Sequence, residues 1–274
     1  MTSRTTDRAG APAGQAAGSA SGTESAARVA DVLLAFLDGP QVHGVSALAR
    51  RLGLSKAVVH RILRTLVERG LVVADAGGYR LGPAASALGA RALRDSDLRT
   101  LALPVLRRLQ ASTGETTTVS ALVPGARVYL DQVVGRSEIS MSVELGRRFP
   151  LHAGSSSTAI LAFMPADAQE AVVSGPLDRL TDLTVADPDA LRERLVEVRR
   201  DGHAHSDGER QRGAGSVAAP VFGVDGAVVG AISVCGPVDR VDETARARFV
   251  PLLVAAADDV SRALGWRGGL PEPV

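Results

Sequence analysis

The chain has 274 residues, 31 basic against 30 acidic groups, 45% hydrophobic content and a single cysteine; that is the make-up of a folded protein with room for two cores, and not of a disordered one. One cysteine cannot close an intrachain disulfide and excludes CxxC and Cys/His zinc frameworks, which favours a reducing, cytoplasmic setting. The near-neutral total hides an asymmetry: through Asp95 there are 12 Lys/Arg and 7 Asp/Glu, a net of +5, and from Ser96 onward 19 and 23, a net of −4, so the two halves face different partners.

The first 22 residues are small and polar, with Arg4, Asp7 and Arg8 and no apolar segment, and read as a flexible tail and not a signal peptide. Val29, Val32, Leu33 and Phe36 recur at three- and four-residue spacing and predict a helix over 24–37, ended by Gly39-Pro40. Ser46 is the expected N-cap of a short second helix, with Leu48, Ala49 and Leu52 inward and a stop at Gly53. Ser55 caps a third, whose buried stripe is Val59, Ile62, Leu63 and Leu66, ended by Gly70. Two helices joined at Gly53 make a helix-turn-helix: small Ala49 lets them approach, glycine permits the turn, and Leu54 and Val59 fill the angle.

Residues 48–64 carry Arg50, Arg51, Lys56, His60, Arg61 and Arg64 and no acid. Charge alone is equally compatible with a solvated helical face; position decides. Opposite the buried stripe of the third helix, Ala57, His60, Arg61 and Arg64 project together, with Lys56 in the first turn. A recognition helix lies in the major groove with its N-terminal residues at base edges, where short side chains permit close approach and arginine donates two hydrogen bonds to guanine. Lys56, Ala57, His60 and Arg61 are therefore the candidate base readers, with Ser46, Ser55 and Arg64 beside them. The segment LVVADAGGYRLG alternates into a hairpin around residues 75–78, the wing expected beside such a helix, and Arg80 is its candidate phosphate contact.

The stretches LARRLGLSKAVVHRILRTLVERGLV and YRLGP, followed in order by VYLDQV, GRRFPLHA, VAAPVF and DGAVVGAISVCGP, resemble the IclR (isocitrate lyase regulator) family of bacterial transcription regulators over roughly residues 25–265. The resemblance implies an α+β fold: an N-terminal winged helix-turn-helix joined by a helical linker to a GAF-like α/β effector-binding domain with an antiparallel sheet. It further implies a homodimer, often paired into a tetramer, that binds operator DNA, and a small-molecule effector that alters operator affinity. The expected division is a tail over 1–22, the DNA-binding domain over 23–82, a linker helix over 83–97 and the effector domain over 98–266, in a repressor with no cofactor.

Read on its own chemistry, the second half begins with a helical connector over 83–111, its apolar positions Leu88, Leu93, Leu98, Leu101, Val105, Leu106 and Leu109. TTTVSALV and ARVYLDQVV flank Pro124-Gly125, a type II turn pair. EISMSVEL is expected as a further strand, and SVAAPVF and AVVGAISV pair around Asp225-Gly226, so the apolar run over 217–236 is a hairpin and not a membrane span. Helices are expected near 155–164, 188–200 and 241–264.

In HAGSSSTAILAF, three serines after Gly154 open an apolar helix and present hydroxyls and free backbone N–H groups together, an arrangement suited to a carboxylate. An ordinary cap with two spare serines is the plain alternative. By similarity to the family the effector-binding positions are Ser155, Ser156, Asp207, Ser216, Ser233 and Cys235, and a small organic acid is the expected effector. Ser216 stands where a cysteine is common, Cys235 where a serine is common, and Ser157-Thr158 replaces a frequent Gly-Lys pair. A metal site at His203, His205, Asp207 and Glu209 is disfavoured, because ligands at alternate strand positions splay. The rival reading is a hydrolase-like enzyme using His152, Ser155–Ser157 and Asp207; against it, GxSxG, HExxH and GxxxxGK motifs are all absent.

Overall fold

The computed structural model describes residues 16–94 and 96–268, in two compact units divided after Leu88. Of the expected tail, residues 1–15 lie outside the described residues. Residues 16–22 are helical: α1 spans Ala16–Leu34, since the alanines that precede the apolar stripe carry the helix backward. A 3-10 turn, Ala35–Leu37, closes it.

The first unit continues with α2 (Val45–Leu52) and α3 (Lys56–Glu68). Gly44, not Ser46, caps α2: its carbonyl accepts from the N–H groups of Ala47 and Leu48, both at 3.1 Å, and Ser46 falls in the first turn. Gly53 takes a left-handed φ of 64°, and its N–H bonds to the Ala49 carbonyl, which turns the chain within a few residues. The core is Val32, Leu48, Ala49, Val59, Ile62, Leu63, Leu66 and Val72. Antiparallel β1 (Val72–Asp75) and β2 (Gly78–Leu81) form the wing, and His43 joins it through a bridge to Tyr79.

The expected single connector is two helices, α4 (Pro83–Arg94) and α5 (Asp97–Thr113). Ser96 starts the second, its Oγ accepting from the Arg99 N–H at 3.3 Å, and Asp97 follows it in the first turn, where a carboxylate complements the helix dipole.

The second unit is built on an antiparallel sheet of order β5-β4-β3-β8-β7-β6. Its strands are β3 (Thr116–Val123), β4 (Ala126–Val133), β5 (Arg148–Phe149), β6 (Ala204–Asp207), β7 (Ala214–Phe222) and β8 (Val228–Pro237). The Pro124-Gly125 and Asp225-Gly226 turns join β3 to β4 and β7 to β8, with Gly125 at φ 70° and Gly226 at φ 79°. EISMSVEL is not a strand. Ile139 is 74% exposed, and the backbone of Val143 bonds to the side chain of Gln132, N–H to Oε1 at 2.8 Å and C=O from Nε2 at 3.0 Å. A side-chain amide thus takes the place of a ladder, and the edge is filled by β5 instead.

Both faces of the sheet are covered. Val217, Ala219, Ile232 and Val234 pack against α5 and α9 (Glu243–Ala263), while Ala218 and Ala231 pack with α6 (Ser155–Leu161) and α8 (Pro188–Asp201). Between these, α7 (Ala166–Val173) is an addition to the expected elements. Among the described residues no helix is long and apolar enough to cross a membrane.

Candidate functional site

The N-cap of α3 is as expected: Ser55 Oγ accepts from the Val58 N–H at 3.3 Å. Below it Lys56, Ala57, His60, Arg61 and Arg64 are exposed, with Val59, Ile62 and Leu63 turned inward. Arg64 lies 4.0 Å from Glu68 with 70% of its side chain exposed; an open i,i+4 pair of this kind is worth only about 0.3–0.5 kcal/mol and leaves the guanidinium available. Ser46 is exposed on α2. Arg51 is committed elsewhere, to Asp38 Oδ2 at 2.5 Å and the Ala35 carbonyl at 3.2 Å. On the wing Arg80 Nε donates to Asp75 Oδ2 at 2.7 Å. The Asp75 carboxyl is held below its ordinary value by the Ala76 N–H first and by Arg80 second, so part of the wing's positive charge is offset locally.

In the second unit, Ser155 and Ser156 at the start of α6, Ser216 on β7, and Ser233 and Cys235 on β8 line one small cavity. The registers Ser216↔Cys235 and Thr118↔Ser233 bring them together. Three of these hydroxyls are paired, Ser155 with Ser216 and Ser233 with Thr118, each at 2.7 Å. Burial pushes the Cys235 thiol up to about 11, so it faces the cavity as a neutral group.

Asp207 does not join them. It ends β6 paired with Arg246 of α9, while its neighbour Ser206 lines the cavity; alternation along a strand puts successive side chains on opposite faces. The helix start is also less open than its serines suggest, because Glu209 Oε2 already accepts from the Gly154 N–H at 3.1 Å.

The cavity's charge comes from two residues outside the expected set, Arg127 and Arg210. Arg127, 1% exposed, donates from Nε to Ser157 Oγ (2.8 Å), from Nη1 to Ser120 Oγ (3.2 Å) and from Nη2 to the Tyr129 hydroxyl (3.1 Å). Burial lowers its pKa, opposed chiefly by Tyr129, and an arginine nonetheless stays protonated. Arg210 is half-buried, its guanidinium carbon 5.0 Å from the Phe149 ring. A charge-assisted hydrogen bond is worth about 1.5–3 kcal/mol against about 0.3–1 kcal/mol for an exposed helix terminus, so the arginines, and not the dipole of α6, dominate the attraction for an anion. The strand ARVYLDQV carried a signal for Arg127: Arg127 and Tyr129 alternate with Val128 and Leu130, as on a strand with one wet face. Here Arg127 meets Ser157 of α6 across that face, while a bulge opposite Val119 and Ser120 turns Asp131 away to Arg99 of α5.

The hydrolase-like trio is not assembled. His152 Nε2 is engaged by the Asp178 carbonyl at 2.9 Å, Ser157 Oγ donates to the Pro150 carbonyl at 2.7 Å, and Asp207 belongs to Arg246. Three of the four alternating residues over 203–209 are engaged apart from one another: His203 with the Asp201 carbonyl at 3.0 Å, Asp207 with Arg246, and Glu209 with Gly154 and with Arg194 at 2.6 Å.

The family model described as the IclR helix-turn-helix domain matches residues 25–76, and that of the bacterial transcriptional regulator IclR C-terminal domain matches residues 90–262. The chain belongs to the IclR family. This IclR regulator is 34% identical to the HTH-type transcriptional regulator BhcR of Paracoccus denitrificans over 226 residues, 81% of each chain. A crystal structure of a putative IclR transcriptional regulator from Silicibacter sp. TM1040 aligns with a TM-score of 0.80 at 33% identity, over 91% of this chain and 100% of that one. An IclR homolog from Microbacterium hydrocarbonoxydans, solved in complex with 4-hydroxybenzoate, aligns with a TM-score of 0.68 at 30% identity, over 88% and 98%. These relatives are transcriptional regulators, and the chain is a DNA-binding transcriptional regulator and not an enzyme.

Proposed function

We propose that the chain is a cytoplasmic repressor that grips its operator as a dimer or tetramer through α3 and is released by a small organic acid bound in the second unit. The observation that carries this reading is the pairing of an exposed cationic face on α3, free of acids from Lys56 to Arg64, with a cavity that has arginines and hydroxyls and, among the described residues, no carboxylate on its walls. Lys56, Ala57, His60 and Arg61 read base edges; Ser46, Ser55, Arg64 and Arg80 hold the backbone. Residues 23–82 act as the DNA-binding domain, 83–97 as the linker and 98–266 as the effector domain. Ser155, Ser156, Ser216, Ser233 and Cys235 contact the effector, and Asp207, paired to Arg246 beneath the cavity wall, positions that wall and does not touch the ligand. The 4-hydroxybenzoate bound to the Microbacterium relative supports an acid as the effector class.

The mechanism is linkage. A dimer reads two half-sites about one helical turn apart, roughly 34–36 Å. A ligand that prefers one arrangement of the dimer shifts the spacing of its recognition helices, with a coupling of roughly 1–3 kcal/mol in typical systems. Repression follows when the unliganded arrangement fits the operator and occludes the polymerase. The test is fluorescence anisotropy on DNA flanking the coding sequence, with and without a panel of organic acids. Binding that an acid weakens about 5- to 150-fold supports the reading; binding that no acid alters removes it.

A further inference from the structure

Between β7 and α9 the second unit holds another space, which shares no lining residue with the cavity at the start of α6. Its walls include Pro220 and Phe222 of β7, Pro251, Val254 and Ala255 of α9, and Trp266 just beyond that helix. Its volume is about 360 Å³, within the range of small-molecule sites, which are concave and mostly apolar. The sheet leaves room for it. β6 pairs with β7 as far as Ala204 and Ala218, and Pro220, two residues on, has no N–H with which to extend that ladder.

The polar side chains on these walls are already engaged, with one exception. Ser261 Oγ donates to the Ala257 carbonyl at 2.7 Å and accepts from the Phe222 N–H at 3.0 Å, and Asp258 Oδ2 accepts from Arg262 Nε at 2.7 Å. Trp266 is 8% exposed and stacks on Phe222 with ring centroids 4.9 Å apart, yet its indole N–H has no hydrogen-bond partner among the described residues. A buried tryptophan usually finds an acceptor, and a donor kept from water without one is costly.

We propose that this cleft is a second small-molecule site, for a neutral apolar compound of one or two rings that carries a hydrogen-bond acceptor, such as an aryl ester or ketone, to which the Trp266 N–H donates. Size sets the ring count: an apolar cavity of about 150 Å³ takes a benzene ring, so the cleft admits a substituted ring or a pair. Charge sets the neutrality. Among the described residues no cation stands on its walls to offset a carboxylate, and the acid there, Asp258, repels one. An ammonium would have to displace Arg262 from Asp258. The site does not depend on the effector assignment, since the two spaces have separate walls.

Trp266 is the chain's single tryptophan, so its fluorescence reads the cleft directly. Titrating the full chain with methyl benzoate should change that emission along a saturable curve, while benzoate and benzylamine leave it unchanged. Ala255→Phe puts a ring at an exposed position on the cleft wall, outside the core, and should weaken the ester by roughly 10-fold or more. Trp266→Phe, followed by calorimetry, removes the N–H and keeps an apolar ring. It should weaken methyl benzoate roughly 2- to 10-fold beyond any loss for isopropylbenzene, which has no acceptor. An ester that Trp266 does not sense, or that binds Ala255→Phe as tightly as wild type, would overturn the site. Equal losses for ester and hydrocarbon in Trp266→Phe, or an emission change with benzoate or benzylamine matching that with the ester, would overturn the ligand class and the proposal with it. Emission that follows protein concentration and not the ester would make a second copy of the chain the occupant, and ester binding gained only on deleting residues 269–274 would give the cleft to the chain's own end; either outcome also refutes the proposal.

Discussion

Glu209 Oε2 accepts from the Gly154 N–H at 3.1 Å, so one of the chain's own carboxylates sits where a helix start would otherwise receive a ligand's. Its other oxygen takes Arg194 Nη1 at 2.6 Å, with side-chain exposures of 7% and 16% for Glu209 and Arg194. Glu209 therefore ties together α8, the start of α6 and the loop that carries Arg210.

Glu209→Gln keeps the shape and removes the charge. The second unit should lose about 1.5–3 kcal/mol, the range for a hydrogen bond to a charged group, read as a lower midpoint in urea at unchanged slope. An unchanged midpoint would show that the strut contributes nothing.

On the wing, Asp75 and Arg80 answer one another at 2.7 Å. Asp75→Asn should free Arg80, raise affinity for any duplex and steepen the dependence of log affinity on log salt by about 0.9, the increment for one more neutralised phosphate. Arg80→Ala should do the opposite across all sequences alike. Salt slopes that do not move in either variant would separate the wing from the phosphates.

Arg61→Ala should relax sequence preference and not merely weaken binding. Losing a bidentate base contact costs about 1–3 kcal/mol of discrimination at one position of each half-site. Selection from a randomised operator library checks this, and a preserved sequence profile would remove Arg61 from base readout.

His43 is 5% exposed, sits edge-on to Phe36 with centroids 5.1 Å apart and has no partner for its buried Nε2. Burial, aided by Arg51, lowers its pKa below the ordinary 6.5. Between the lowered folded value and 6.5 the unfolded chain binds more protons than the folded one, so stability falls as pH drops below 6.5 and levels once the folded histidine is also charged. Melting temperatures should decline less steeply below pH 6.5 in His43→Gln than in wild type; parallel curves would contradict the assignment.

Much of this was legible from residue order, and the parts that were not share a cause. Helix periodicity, Gly53, Ser55 and the two hairpin turns are local signals, and the elements they mark stand where the spacing places them. The break at Ser96 was equally local, with a cap and an acid in sequence, but a continuous apolar stripe on either side masked it. Arg127 and Arg210 were not legible as a pair. One lies near the start of β4 and the other in the loop between β6 and β7, and only the roofing of a polar strand face by α6 brings both to one cavity. Likewise EISMSVEL alternates well enough for a strand, and its backbone is taken instead by distant side chains, those of Thr116, Gln132 and Arg240. Asp207 and Ser206 differ by one step of the pleat, a choice that neighbouring strands make.

Cys235 is the only cysteine in the chain, and it is buried and reluctant to ionise. Thiol-directed dyes and spin labels react with thiolates at accessible positions, so the native protein is close to silent toward maleimides as it stands. A cysteine placed at an exposed site such as Val224, 76% exposed on the β7–β8 turn, would take up a probe selectively, and distances between copies of the molecule could be followed in solution without first stripping the chain of its own sulfhydryl.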